Sequence, residues 1–197
     1  NQTEYITAYT FYWQPGFAVP YTVTLIDTPG VCDQRFMFDK QFIDDLESFF
    51  TFENGIDQLN AVAFTVQSSN SKLNYCVKYL YDRISHLFGA NNFIITATFS
   101  DAYKPSVIEA LKFHEIPTDY VSEFNNSAIF AMRGGHDRII TKKFWDICQT
   151  GYANIFEYVN KMNPTSLVLP QIALANRKEI IISIEVLNQK ICEEIVK

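Results

Sequence analysis

The sequence predicts an α/β fold with a mostly parallel sheet, an antiparallel edge and helices layered on the sheet's faces. Three observations lead there. Short apolar runs alternate along the chain with longer segments of helical period, the pattern of strands joined by crossover helices. Several of those runs are continuously apolar, as strands buried on both faces are. The chain opens instead with two β-rich runs around Gln14-Pro15-Gly16, which reads as a hairpin.

Taken in order, Tyr5 to Trp13 and Phe17 to Ile26 form that hairpin. Phe42, Ile43, Leu46, Phe49 and Phe50 keep helical spacing, so a helix is expected over 39–50. Ala61 to Val66 is a short strand. Leu73, Cys76, Val77, Leu80, Ile84, Leu87 and Phe88 give a helical stripe, stopped by Gly89. Phe93 to Thr98 is a buried strand. Pro105 opens a helix bearing Val107, Ile108 and Leu111, because proline suits a first helical turn. Tyr120 to Phe124 is a further strand. A long helix carrying Phe144, Ile147, Cys148, Ile155, Phe156, Val159 and Met162 ends before Pro164. The tail, with Ile180, Ile184, Leu187 and Ile191, reads as an amphipathic helix for the domain or for a partner. Organisation is therefore expected as 1–163, one folded domain, and 164–197, a helical extension.

Composition narrows the function classes. The 197 residues suffice for one domain with a real core, and 48% hydrophobic residues exclude disorder. Lys+Arg number 16 against 22 Asp+Glu, and that acidic balance argues against non-specific nucleic-acid binding. Cys32, Cys76, Cys148 and Cys192 are scattered without Cys-x-x-Cys spacing, which suggests a reducing, cytoplasmic setting and no structural zinc. No apolar run is long enough to span a bilayer, so membrane contact is expected only through segments outside this chain.

Three strand ends carry polar signatures. Asp27-Thr28-Pro29-Gly30 follows an apolar run; an Asp there can hold Mg²⁺ through water, and a Gly three residues on lets a backbone N–H approach a phosphate. Pro-Gly after a strand is also an ordinary turn. Thr98-Phe99-Ser100-Asp101 ends the second buried strand. An ionised carboxylate accepts two parallel hydrogen bonds, the geometry that guanine's ring N–H and exocyclic amine present and adenine does not. Asn125-Asn126-Ser127-Ala128 follows one helix and one strand later, placed to close over a base.

On these residues the chain resembles the G domain of immunity-associated GTPases (GIMAP, AIG-type), relatives of septins and Toc GTPases. Val66-Gln67 with the helix to Ile84-Ser85-His86-Leu87-Phe88-Gly89 resembles that family's hydrophobic box, and Phe124-Asn125-Asn126 its fifth motif. The likeness spans the start of the chain to about Met162. It implies a P-loop NTPase-like, three-layer fold that binds GTP or GDP with Mg²⁺. Asp27 and a switch threonine, Thr3 with Thr7 as the alternative, would serve the metal, and the Gly30 amide would sense the γ-phosphate. Thr98, Phe99 and Asp101 would form the base box, Phe99 against the base and Asp101 reading guanine, with Asn125 and Asn126 also in contact. The resemblance further implies assembly through the G domain, as a homodimer or hetero-oligomer.

The pattern also departs from the family. No Gly-x-x-x-x-Gly-Lys-Ser/Thr loop occurs, and only seven glycines are present. In the family that loop, with its central strand, precedes the switch threonine. The expectation is a truncated G domain that binds nucleotide poorly alone. Val31 stands where many GTPases place a water-positioning Gln, so intrinsic hydrolysis would be slow. Cys32-Asp33 departs from the relatives' aromatic-Asp or Gly-Asp. The alternative is a pseudo-GTPase scaffold assembling through its G-domain face and C-terminal helix. An α/β hydrolase is disfavoured, since no Gly-x-Ser-x-Gly elbow is present. His86, His114 and His136 lack metal-ligand spacing. Asp44-Asp45 and Glu193-Glu194 read as solvated helical pairs, and most of the 17 Phe and 11 Tyr as core. Asn125-Asn126-Ser127 matches a glycosylation sequon, a reading set aside for its use in the fifth motif.

Overall fold

The computed structural model describes residues 3–17, 19–30, 36–50, 56–101, 103–130, 138–167, 176, 179–180, 182–188 and 191, with 36–41 described for the backbone alone. In chain order these form β1 (Thr7–Phe11), β2 (Val23–Asp27), α1 (Phe36–Phe50), β3 (Gln58–Leu59) and β4 (Val62–Gln67). Next come α2 (Tyr75–Phe88), β5 (Phe93–Thr98), α3 (Val107–Phe113), β6 (Val121–Glu123), α4 (Arg138–Lys161) and β7 (Thr165–Ser166). The expectations for Val31, for Cys32-Asp33, for His136 and for Glu193-Glu194 fall outside the described residues.

β1 and β2 pair antiparallel, Thr7 opposite Asp27 and Phe11 opposite Val23. Between them Phe17 N donates to Gln14 O at 3.1 Å, with Gly16 at φ 98. Pro at the second position and a left-handed Gly at the third are what a type II turn needs. Pairing is delayed to Val23 rather than beginning at Phe17. Pro20 offers no N–H for a ladder, and Trp13 N donates instead to Thr22 Oγ1 at 3.0 Å. The hairpin's aromatic residues are not core: Tyr9, Phe11, Tyr12 and Trp13 are all exposed. Of its described residues, Ile6 and Ile26 turn inward to the main cluster.

The second sheet is parallel, ordered β4-β5-β6, with Phe64 beside Ile95 and Ile95 beside Val121. Ile94, Ile95 and Ala97 of the central strand are all buried, which accounts for its unbroken apolar sequence. One face, formed by Phe64, Val66, Phe93, Ile95 and Ala97, packs with Phe42, Ile43, Leu46 and Phe50 of α1, Leu80, Tyr81, Ile84 and Phe88 of α2, and Val107 and Leu111 of α3. On the other face Ser122 Oγ donates to Gly151 O of α4 at 2.9 Å. Helices thus lie on both sides of the sheet, and the fold is α/β with a parallel sheet, as the alternation of patterns requires. The antiparallel hairpin is a separate two-stranded sheet rather than an extra edge of the parallel one, because β2 and β4 make no ladder with each other.

The predicted glycine stop of α2 is built as the sequence suggests, while its start, at Tyr75 rather than at Leu73, is set by a cap that the apolar stripe does not mark. Asn74 Oδ1 accepts from Cys76 N at 3.3 Å, and Gly89, at φ 82, donates its N–H to Ser85 O at 2.9 Å. The antiparallel pairing of β3 with β7 has no counterpart in the sequence reading, since two-residue strands carry no period. Asn92 Nδ2 fixes it by donating to Asn163 O at 2.7 Å and Thr165 Oγ1 at 3.0 Å. Leu167 is buried in the core, so the chain stays tied to the domain to that residue. Beyond it, residues 182–188 are helical, and Ile180, Ile184, Leu187 and Ile191 are more than half exposed. Cys76 is disulfide-bonded, unlike the reduced thiols expected from the cysteine spacing, whereas Cys148 is free and buried. Among the described residues no helix is long and apolar enough to cross a membrane.

Candidate functional site

The carboxyl ends of parallel strands are where α/β sheets bind ligands, because crossovers diverge there and leave backbone groups unpaired. β4, β5 and β6 end in Ser68, in Thr98 to Asp101, and in Phe124 to Ser127. Backbone bonds stitch the three ends side by side: Ser68 N to Thr98 O at 2.8 Å, Ser100 N to Phe124 O at 2.9 Å, and Phe124 N to Ala97 O at 2.9 Å.

Side chains complete the frame. Thr98 Oγ1 donates to Val66 O at 3.2 Å, so this hydroxyl serves the sheet. Phe99 sits at φ 57, a left-handed backbone that costs a residue with a Cβ about 1–2 kcal/mol. Ser68 Oγ holds that turn by donating to Phe99 O at 3.2 Å. The result is a phenyl ring left 68% exposed at the loop apex. Ser100, fully buried, donates its hydroxyl to Glu123 Oε2. Asp101 is exposed; its Oδ1 accepts from Tyr103 N at 3.2 Å, and Oδ2 has no hydrogen bond among the described residues. Next in the loop, Lys104 pairs with Glu109 at 2.8 Å, and that hydrogen bond, then the charges of Lys104 and Lys112, holds the Glu109 carboxyl below its usual range.

Asn125 is 7% exposed, and its side chain is turned into the protein. Nδ2 donates to Ser100 O at 2.7 Å, and Oδ1 accepts from Ser127 N at 3.2 Å and Ser127 Oγ at 2.5 Å. An amide so engaged is a brace between two loops, not a free contact for a ligand. The same burial leaves no room for a glycan, so the sequon is a coincidence of sequence. Asn126 is the exposed member of the pair.

A second cluster gathers at the end of the hairpin. Thr3 Oγ1 donates to Asp27 Oδ2 at 3.2 Å, across 24 residues of sequence. Thr7, its alternative, turns instead to Tyr5 O at 3.2 Å. Gly30 is exposed, outside the left-handed region, and a Cβ there would meet no atom within 4 Å. Among the described residues nothing therefore demands glycine at this position. The structure thus brings Thr3 to Asp27, and the 98–101 loop to Asn125, while no hydrogen bond joins the two clusters among the described residues.

Sequence reasoning missed Ser68, Glu123 and Gly151. Ser68 was within reach of the strand-end rule, since it follows Val66-Gln67. Gly151 was signalled by its place inside a long helix, where glycine is unfavourable unless backbones must approach. His86 is exposed near the end of α2, and His114 caps α3; neither joins a cluster. Among the described residues no three His, Cys, Asp or Glu side chains converge to hold a metal by themselves.

No protein-family model matches the sequence, and no curated protein matches it. Among solved structures it is similar to Toc33 from Arabidopsis thaliana, a dimerization-deficient mutant, at 13% identity, covering 73% of this chain and 69% of that one, with a TM-score of 0.44. A likeness so loose carries no weight for function.

Proposed function

We propose that this chain carries a guanine-nucleotide-binding G domain of a protein that hydrolyses GTP slowly and acts as a switch. The observation that carries the reading is the pairing of Thr3 with Asp27 at one strand end while the 98–101 and 125–127 loops are knitted together at two others. Residues picked for one ligand's metal and base thus fall into two groups at strand ends.

The donor chemistry fits the implied groups. A carboxylate and a hydroxyl are hard oxygen ligands, and Mg²⁺ takes one or two such ligands from protein while phosphates and water complete its shell. Asp27 and Thr3 would hold it; when bound, the ion neutralises charge on the phosphate oxygens. Asp101 presents an exposed carboxylate suited to guanine's paired N–H groups. Phe99 offers an apolar face for stacking, and its strained backbone supports such a role. Gly30, which none of the described residues demands, fits a position that a phosphate approaches closely. Pairing with a second G domain belongs to the same proposal.

The test is a fluorescent GTP and ATP titration with Mg²⁺, on the full-length protein. GTP-selective binding that Asp101→Ala abolishes is the expected result. A folded protein that takes up neither nucleotide would sink the switch and leave the scaffold, for which the exposed apolar side chains of the C-terminal helix speak.

A further inference from the structure

The loop carrying Asn125 and Asn126 is held from behind by one face of α4. Cys148 is 2% exposed, a free thiol that no step of the nucleotide reading uses. Its Sγ accepts the Asn125 N–H at 3.3 Å and donates to Asn126 Oδ1 at 3.5 Å. One turn on, a Cβ at Gly151 would stand 2.3 Å from Glu123 O and 2.8 Å from the Phe124 ring, so the helix backbone lies directly on the end of β6. Tyr152 adds an edge-to-face contact with Phe124, ring centroids 5.1 Å apart. That close approach is what lets a side chain as short as cysteine reach two groups of the loop.

A thiol has one proton to give. Delivered to Asn126 Oδ1, it engages that end of the exposed amide, so that the Nδ2 end is the one left to a ligand. That N–H donor suits a base with a carbonyl at its six position and opposes one with an amine there. We propose that Cys148 is a positioning residue that sets guanine-over-adenine selectivity by orienting the Asn126 amide. The proposal rests on the guanine reading above, with Asp101 reading the other edge of the base.

Inosine triphosphate separates the two readers, since it keeps the six-position carbonyl and lacks the amine that Asp101 takes. The experiment measures Kd for GTP, ITP and ATP on the full-length protein, as wild type, Cys148→Ala, Cys148→Ser and Asn126→Ala, with a thermal melt of each. Expected for Cys148→Ala is a roughly three- to tenfold loss for GTP and ITP alike, the scale of one hydrogen bond, with ATP unchanged. Cys148→Ser, which keeps a donor and acceptor, recovers most of it. Asn126→Ala, at an exposed position that folding tolerates, reproduces the loss, and combining it with Cys148→Ala adds nothing more. Equal weakening of all three nucleotides, or an unchanged GTP-to-ATP ratio in both Cys148→Ala and Asn126→Ala, overturns the proposal and spares the guanine reading. Wild type that binds no guanine nucleotide overturns both.

Discussion

Replacing Gly151 with alanine sets two physical effects against each other. In a free helix the change is favourable by about 1 kcal/mol, because alanine loses less backbone entropy than glycine. Here the new methyl would lie 2.3 Å from the carbonyl oxygen of Glu123 and 2.8 to 2.9 Å from two carbons of the Phe124 ring. The ring could turn, but the carbonyl belongs to the backbone of β6 and can move only with the strand. Overpacking of this kind costs about 1–3 kcal/mol. Moving α4 away would also stretch the 2.9 Å bond from Ser122 Oγ to Gly151 O, worth about 1 kcal/mol in a buried setting. The net expectation is destabilisation by about 1–3 kcal/mol. For a domain of this size that lowers the melting midpoint by roughly 2–12 °C. Urea and thermal denaturation of the two proteins side by side provide the assay. An alanine variant as stable as wild type, or more so, would refute the reasoning, because helix propensity would then have won and the close approach of α4 to β6 could not be real.

Two further outcomes follow from the same frame. Asn125→Ala should cost about 1–3 kcal/mol in denaturant unfolding, since it strands the buried Ser100 carbonyl and releases the exposed Ser127; Asn126→Ala, on the surface, should change stability little, and equal effects would contradict the assignment of brace and exposed partner. Burial, and then the nearby charge of Asp82, push the Tyr81 hydroxyl's pKa up. A group whose folded value lies above its unfolded one stabilises fully below the unfolded value and loses that contribution as pH rises through the folded one. Melting should therefore fall as pH climbs past about 10, where tyrosine ordinarily ionises. Tyr81→Phe should flatten that fall, and an identical alkaline slope in both proteins would remove Tyr81 as its cause.

How legible the molecule was depended on the range of the interaction involved. The hairpin turn, α2 with its glycine stop, α3 after Pro105 and the buried strand β5 all lie in the sequence, because period, capping and turn chemistry act over a few residues. The strand-end boxes were legible for the same reason: a polar residue after an apolar run marks a sheet edge wherever the strand ends up. Other features lie far apart in the chain and have no local signature. The tie of Thr3 to Asp27 spans 24 residues, and that of Asn125 to Ser100 spans 25. Whether Asn125 or Asn126 faced outward could not be read from two identical side chains in a row. Burial decided it, since the inner one found three partners and the outer one faces solvent. The aromatic residues of the hairpin looked like core by composition and are exposed, because a two-stranded sheet offers them no second layer. Sequence alone thus determined the longer elements and the chemistry presented at their ends. Tertiary structure decided which of those groups are committed to holding the loops and which stay free to meet a ligand, because each donor or acceptor used inside the fold is one that a ligand cannot use.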